Sequence, residues 1–284
     1  MDTERIKTVV EDLERLLLDF MRRHRITHQE YRCATDILVG SVKAGEESLL
    51  YDIFLEAQAT DNGNIGRQGS PEAIEGPFHL PGAPWLEPPC VAPQRLDEAG
   101  DVLFFRGRIT GPDGEPLAGV ELDLWQANAD GHYSNIHPGI PDWSLRGRLR
   151  ADAKGWFEVR TILPPPYEIP KYGPTGRVLA ALGRHAFRPA HLHVKLRHPG
   201  FADLTSQLYF QGGDYLDSDV AGAVRDGFIV PLVRHDSPER LAARGLDRPY
   251  FEIRHDFVLA PRPAPGRALF GSSRAVPAND HWRS

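Results

Sequence analysis

The stretch Phe187-Arg188-Pro189-Ala190-His191-Leu192-His193-Val194 constrains this chain more than any other. From Ala190 it reads as a strand, in which successive side chains point to opposite faces of a sheet. His191 and His193 therefore share one face. Two imidazoles on one face are half of a metal site, and imidazole suits iron, zinc, copper and nickel alike. An isolated His-x-His is otherwise an ordinary polar sheet face, so its neighbours decide what it means.

Those neighbours predict a mainly β chain. Short apolar runs at 102–105, 120–125, 156–162, 190–196, 206–210 and 250–259 are separated by turn signals such as Gly111-Pro112-Asp113-Gly114, Asp130-Gly131 and Lys154-Gly155. With 27 glycines and 25 prolines, this pattern indicates a β-sandwich rather than alternating βαβ units. Ahead of it, Ile6, Val9, Val10, Leu13, Leu16, Leu17 and Phe20 recur at helical spacing over residues 4–24. Thr27 with Glu30 forms a capping box that opens a second helix, closed near Gly40 and Gly45. A third helix is predicted over 46–57. Residues 58–101 read as an extended, proline-studded connector, and the chain after Leu259 reads as a wrapping or disordered tail. The expected division is a helical and linker region over 1–85 and a sandwich with its tail over 86–284.

Several function classes are excluded early. A net charge of −6 gives no clustered basic surface for nucleic acid. No apolar run reaches membrane-spanning length, and Met1-Asp2-Thr3-Glu4-Arg5 is not a signal peptide. Cys33 and Cys90 are the sole cysteines, too few for a disulfide framework or a thiolate clasp. A reducing, cytoplasmic location is expected.

Two tyrosines complete the chemistry. Tyr133 follows the Asp130-Gly131 turn, and Tyr167 follows Pro164-Pro165-Pro166, which stiffen the backbone and present the phenol. A phenol has a pKa near 10, so a strongly Lewis-acidic ion is needed to hold two of them as phenolates. Ferric iron suits that pair with two imidazoles, whereas zinc and ferrous iron favour other sets.

With these residues in view, the chain resembles the intradiol ring-cleaving catechol dioxygenases. The resemblance rests on Trp125, Asp130-Gly131-x-Tyr133-Ser134, Pro166-Tyr167-x-Ile169-Pro170, Gly173-Pro174-Thr175-Gly176 and Arg188-Pro189-Ala190-His191-x-His193, in order. It extends through the N-terminal helices and through Ile74-Glu75-Gly76-Pro77-Phe78. It implies one Fe(III) per subunit held by Tyr133, Tyr167, His191 and His193, with Tyr167 released when a catechol chelates. Substrate and O2 would yield a cis,cis-muconate in aromatic degradation. Arg188 would stabilise negative charge developing on the ring, and Gln207 would orient an intermediate by hydrogen bonding. As residues alone, Arg188 is otherwise a surface strand arginine and Gln207 a buried amide in need of partners. The resemblance also implies a homodimer joined by the N-terminal helices, with a phospholipid between subunits.

The pocket positions it implies are Leu49, Asp52, Ile74, Gly76, Pro77, Phe78 and Val220. Leu49-Leu50-Tyr51-Asp52-Ile53-Phe54-Leu55, with the loop after Tyr167, is most similar to the chlorocatechol 1,2-dioxygenase branch. Asp52 also occurs in the hydroxyquinol 1,2-dioxygenase branch, where a carboxylate accepts from a third hydroxyl and the product is maleylacetate. Phe78 adds apolar bulk and favours a chloro or alkyl substituent. A β-sandwich binding module that lost its chemistry, and a zinc or ferrous His-x-His enzyme, are the readings of other classes. The intact four-residue set opposes the first, and the two tyrosines oppose the second.

Overall fold

The computed structural model describes residues 3–46 and 49–262. Helix α1, Thr3–His24, is amphipathic, yet none of its residues is buried. Helix α2, His28–Lys43, opens on the expected capping box: the Thr27 hydroxyl accepts from Glu30 N, and Glu30 returns to Thr27 N at 2.7 Å. The third helical stretch differs from the expectation. It begins within the described residues at Leu49–Tyr51 (α3), widens into a π-helical turn over Asp52–Glu56, and continues as α4, Ala57–Asn64. The polar run after Ala57 thus stays helical before the connector begins. Good helix formers there, Ala57, Gln58 and Ala59, outweigh Gly63 and the asparagines. The π turn buries Ile53 beside Leu49 on the inward face.

Two five-stranded sheets form the sandwich. In the first, β1 (Val102–Thr110) is central and pairs antiparallel with β4 (Trp156–Ile162). On its other side it runs parallel to β11 (Tyr250–Arg254) and then β12 (Phe257–Val258), while β10 (Val233–His235) pairs with β11. The switch from β11 to β12 brings the His255 carbonyl so close to Gly107 that a Cβ there would lie 1.8 Å from it. Glycine is required at that approach.

The second sheet runs β3 (Arg146–Arg150), β2 (Glu121–Trp125), β7 (His191–Arg197), β8 (Leu204–Phe210), β9 (Ile229–Val230). Its inner face contributes Leu122, Leu124, Leu192, Val194, Leu196, Leu204, Leu208 and Phe210. These pack against Leu103, Phe105, Ile109, Phe157, Val159, Ile253 and Phe257 of the first sheet. Burying this apolar layer is what joins the sheets. By the same alternation, Trp125, His191, His193, Gln207 and Tyr209 point outward from the sandwich, in register: Trp125 opposite His193, His193 opposite Gln207, His191 opposite Tyr209. A two-stranded ribbon, β5 (Tyr167–Glu168) with β6 (Phe187–Arg188), and helix α5 (Pro174–Ala181) lie over this face. A short helix, α6 (Pro238–Ala243), precedes β11.

Arg262 N bonds Gly200 O, and Pro261 bridges Phe201, so the chain just past Leu259 returns to the sandwich. The rest of the expected tail lies outside the described residues.

Candidate metal centre

Although these five residues point outward from the sandwich, they are buried, because other segments cover them. The connector crosses above β7 and β8: Ala73 N bonds Thr205 O, and the Ile74 carbonyl accepts from Gln207 Nε2 at 2.7 Å. Gly76, at φ +70°, passes over His193, where a Cβ would sit 3.6 Å from the imidazole Cε1. Phe78 then lays its ring 4.5 Å from that of Tyr133 and 6.2 Å from that of Tyr167.

Each phenol is delivered by a local device. The Asn128 side-chain oxygen accepts from Asp130 N and His132 N, a side-chain-built turn, and His137 Nδ1 accepts from Tyr133 N at 3.0 Å. Behind the turn, the buried Arg146 donates to the Ser134 carbonyl and hydroxyl and to the Phe78 carbonyl at 2.7 Å. It thereby ties the Tyr133 turn to the connector. Burial lowers its pKa to about 10, against the opposing pull of Tyr133 and Asp123. Tyr167 leaves the proline run directly into β5, in register with Arg188.

The four predicted donors converge. The two phenol rings meet edge-on with centroids 5.4 Å apart, and Tyr167 lies 5.5 Å from His191. The two imidazoles are 4.6 Å apart, with their Nε2 atoms at 3.0 Å. His191 Nδ1 lies 2.7 Å from the Pro189 carbonyl. A carbonyl only accepts, so Nδ1 carries the proton and Nε2 presents a lone pair inward. The ring of His193 stacks on Trp125 at 4.7 Å and 10°.

This arrangement fits a cation. Tyr133 Oη is buried without a well-formed hydrogen bond, which is costly in a neutral protein site. Two nitrogens on one ion at about 2.1 Å each and at right angles stand about as far apart as the two Nε2 atoms do. Burial, followed by the Tyr167 phenol, holds Tyr133 well above the ordinary tyrosine range. Burial also raises Tyr167, against the pull of Arg188. Burial and then Arg188 push His191 down to about 3, and burial and then His191 push His193 well below its usual value. The site thus holds its imidazoles neutral, as a metal requires. The phenols await an ion to deprotonate them. Among the described residues, no group of three or more His, Cys, Asp or Glu side chains is placed to hold a metal, so an all-imidazole, carboxylate or thiolate set has no alternative location there.

Arg188 closes one side, with its side chain 4% exposed. Nε donates to Asp219 Oδ1 at 3.1 Å, and Nη2 faces Gln207 Oε1 at 2.9 Å, Tyr209 Oη at 2.8 Å and Asp219 Oδ2 at 3.2 Å. Nη1 lies 3.4 Å from His191 Nε2, and the guanidinium also bonds the Tyr167 phenol. The Nη1 end of the guanidinium is thus directed at the proposed donors. Burial would lower this guanidinium, but Tyr209 and Asp219 more than offset it, so it stays charged. Gln207 is held at both ends of its amide, by Ile74 and by Arg188.

The predicted pocket residues are not equally placed. Leu49, Phe78 and Val220 are buried in one cluster with Tyr133, Tyr167 and Trp125. Ile74 is buried against Ala221 and Ala223. Asp52 is half-buried at the start of the π turn, and Pro77 is exposed. Sequence reasoning passed over Ile53, Tyr209, Asp219 and Arg146. Of these, Tyr209 was within reach, because it stands two positions beyond Gln207 on one strand face. A cleft of about 460 Å³ lined by Cys90, Phe104, Trp156 and Arg244 lies against the first sheet, away from these donors, and bears none of this chemistry.

A family profile described as Dioxygenase matches residues 74–261. A chlorocatechol 1,2-dioxygenase of Rhodococcus opacus is 39% identical over 240 residues, covering 83% of this chain and 93% of that protein. A 6-chlorohydroxyquinol 1,2-dioxygenase of Cupriavidus pinatubonensis is 35% identical over 267 residues, covering 90% and 91%. The crystal structure of a 3-chlorocatechol 1,2-dioxygenase from Rhodococcus opacus superposes with a TM-score of 0.86 at 39% identity, covering 92% of this chain and all of that one.

Proposed function

Since this chain belongs to the intradiol catechol dioxygenases, and within them to the chlorocatechol branch, we propose that it cleaves catechols carrying chloro or alkyl substituents between the two hydroxyl-bearing carbons, using O2 and a ferric ion. The product is a cis,cis-muconate. The observation that carries the reading is the convergence of Tyr133, Tyr167, His191 and His193 in one buried pocket, with the two imidazole Nε2 atoms 3.0 Å apart.

In this reading those four residues hold one Fe(III) per subunit. Ferric iron supplies a Lewis acid and template that draws electron density from a chelated catechol. Tyr167 Oη takes up a substrate proton, since burial, the largest influence on it, favours the neutral phenol over its anion. Tyr133, pinned by Arg146 through Ser134, stays in place. Arg188, held charged beside Tyr167 and His191, stabilises negative charge as it develops on the ring. Gln207 keeps one amide hydrogen beyond its bond to Ile74 and holds the Arg188 edge in plane. Leu49, Ile53, Phe78 and Val220 exclude water and accept an apolar ring substituent.

Asp52 supports a second reading, a hydroxyquinol substrate, for which a 35% identical relative is named. The apolar wall favours the first, because a third hydroxyl would need a partner there. We further propose a cytoplasmic homodimer in which a second copy and a phospholipid cover the apolar face of α1. Leu13, Leu16, Leu17 and Phe20 are all exposed on that helix, and no helix among the described residues is long and apolar enough to cross a membrane.

The test is a visible spectrum of the purified protein before and after anaerobic addition of catechol, followed by product analysis with chlorocatechol and hydroxyquinol. A broad tyrosinate-to-iron band that shifts to longer wavelength on binding is expected. Colourless protein holding zinc in stoichiometric amount overturns the reading.

A further inference from the structure

Arg188 does not hold its direction by itself. Asp219, with a side chain only 1% exposed, grips it through both carboxylate oxygens, at 3.1 and 3.2 Å. That grip uses Nε and one edge of Nη2, and so turns Nη1 toward His191. The same carboxylate accepts from Ala221 N at 3.2 Å and Ala223 N at 3.0 Å. It therefore also folds the loop that carries Val220. Three further contacts zip this loop to the Arg188 ribbon. Val220 N bonds Phe187 O at 3.1 Å, His185 Nε2 meets Ser218 Oγ at 3.0 Å, and the Phe187 and Tyr215 rings stack at 4.5 Å and 3°.

Behind the loop, the packing is open. A cavity of about 440 Å³ is lined by Gly183, Arg184, His185, Ser218, Asp219 and Val220, and by none of the four donors. Packed interiors resist displacement because they are dense, and here that resistance is missing on one side. The position of Val220 is therefore set by its packing against the apolar cluster on one side and by these few bonds, with the buried ion pair at their centre, on the other.

We propose that Asp219 is a positioning residue that fixes Arg188 and the Val220 wall as one unit, so that a substituent pressing on Val220 alters the aim of the guanidinium at the ring. The inference rests on the dioxygenase reading above. Asp219 touches neither the proposed donors nor the pocket interior occupied by Phe78 and Leu49. Its effect on the reaction passes through Arg188, and its effect on selectivity passes through Val220.

The test compares wild type with Asp219→Asn and Asp219→Glu, iron-loaded, on catechol, 3-chlorocatechol and 4-chlorocatechol. Wild type must first give the tyrosinate band and the ring-cleaved product; if it does not, the dioxygenase reading fails, and this inference with it. Given that, Asp219→Asn is expected to keep the resting band, because the four donors are untouched. It is expected to lose about 10²-fold in kcat, the scale of a misplacement near 1 Å, with KM for catechol changed far less. The ratio of chlorocatechol to catechol kcat/KM should shift at least about threefold. Asp219→Glu keeps the charge but displaces the loop, so it should recover part of kcat while leaving the ratio shifted. Should Asp219→Asn not fold, Asp219→Glu alone decides, through the ratio. An unchanged kcat in Asp219→Asn, or a substrate ratio equal to wild type in whichever variant folds, overturns the proposal.

Discussion

Metal-free protein should become steeply less stable as pH falls below neutrality, because two imidazoles are held uncharged in the fold. In the unfolded chain each titrates near 6.5. In the folded protein His191 is pushed down to about 3 and His193 well below its ordinary value. Between those limits the unfolded state binds protons that the folded state does not, so stability falls with falling pH. From pH 7 to 5 the loss is about 2 kcal/mol for each imidazole and about 4 kcal/mol for the pair. A single proton shared between the two Nε2 atoms would reduce the total to about 2 kcal/mol. The figure depends little on the folded pKa, so long as that stays below 4. His137 and His255 are also lowered by burial and slope the same way, so the measurement must be a difference. Urea unfolding of metal-free wild type and of His191→Gln/His193→Gln is followed at pH 7, 6, 5.5 and 5. The stability gap between them should narrow by about 2–4 kcal/mol toward pH 5. A gap constant with pH would mean that the imidazoles are solvated and protonate in place, and the dry-pocket argument would fail. Iron should steepen the wild-type slope, since protons and the ion compete for the same lone pairs.

Two substitutions probe the walls and the frame. Phe78→Ala removes a ring 4% exposed from between Leu49 and Tyr133, and should cost about 3–5 kcal/mol in urea unfolding. It should also lower the preference for chlorocatechol over catechol, measured as kcat/KM; an unmoved ratio would remove Phe78 from the substrate wall. Gly107→Ala drives a Cβ to 1.8 Å from the His255 carbonyl, forcing β1 from the chain between β11 and β12. Expression should yield little soluble protein, and a variant with wild-type melting temperature would refute that close approach.

Much of this architecture was legible because it follows from short-range rules. The capping box at Thr27 and Glu30 is a four-residue device, and the strand alternation that aims His191 and His193 to one face is a two-residue one. The misses share a physical cause. Strand β3 reads Arg146-Gly147-Arg148-Leu149-Arg150, with nothing of a strand in its composition. It is a strand whose arginines find partners: Arg146 donates to the Ser134 and Phe78 carbonyls, and Arg148 donates to Ala83 O and lies over the Trp85 ring 4.5 Å away. Helix α5 was hidden in a Gly-Pro-Thr-Gly run and is secured by Glu46, whose carboxylate accepts from Thr175 N across the chain. Asp219 sits in a loop with no motif, and the arginine it pairs with is 31 positions away. Long-range pairing leaves no local pattern to read.

The two imidazoles differ in how exposed their alignment is to mutation. His193 is steered by the Trp125 ring and by glycine at position 76, both of which one base change can replace. His191 is steered by the Pro189 carbonyl, a main-chain atom present whatever residue stands there. Substitution can therefore rebuild the walls at Leu49, Phe78 and Val220 while His191 Nδ1 keeps its proton toward the Pro189 carbonyl. Half of the imidazole pair is thus heritable through backbone path alone, and diversification of such a pocket begins from that fixed point.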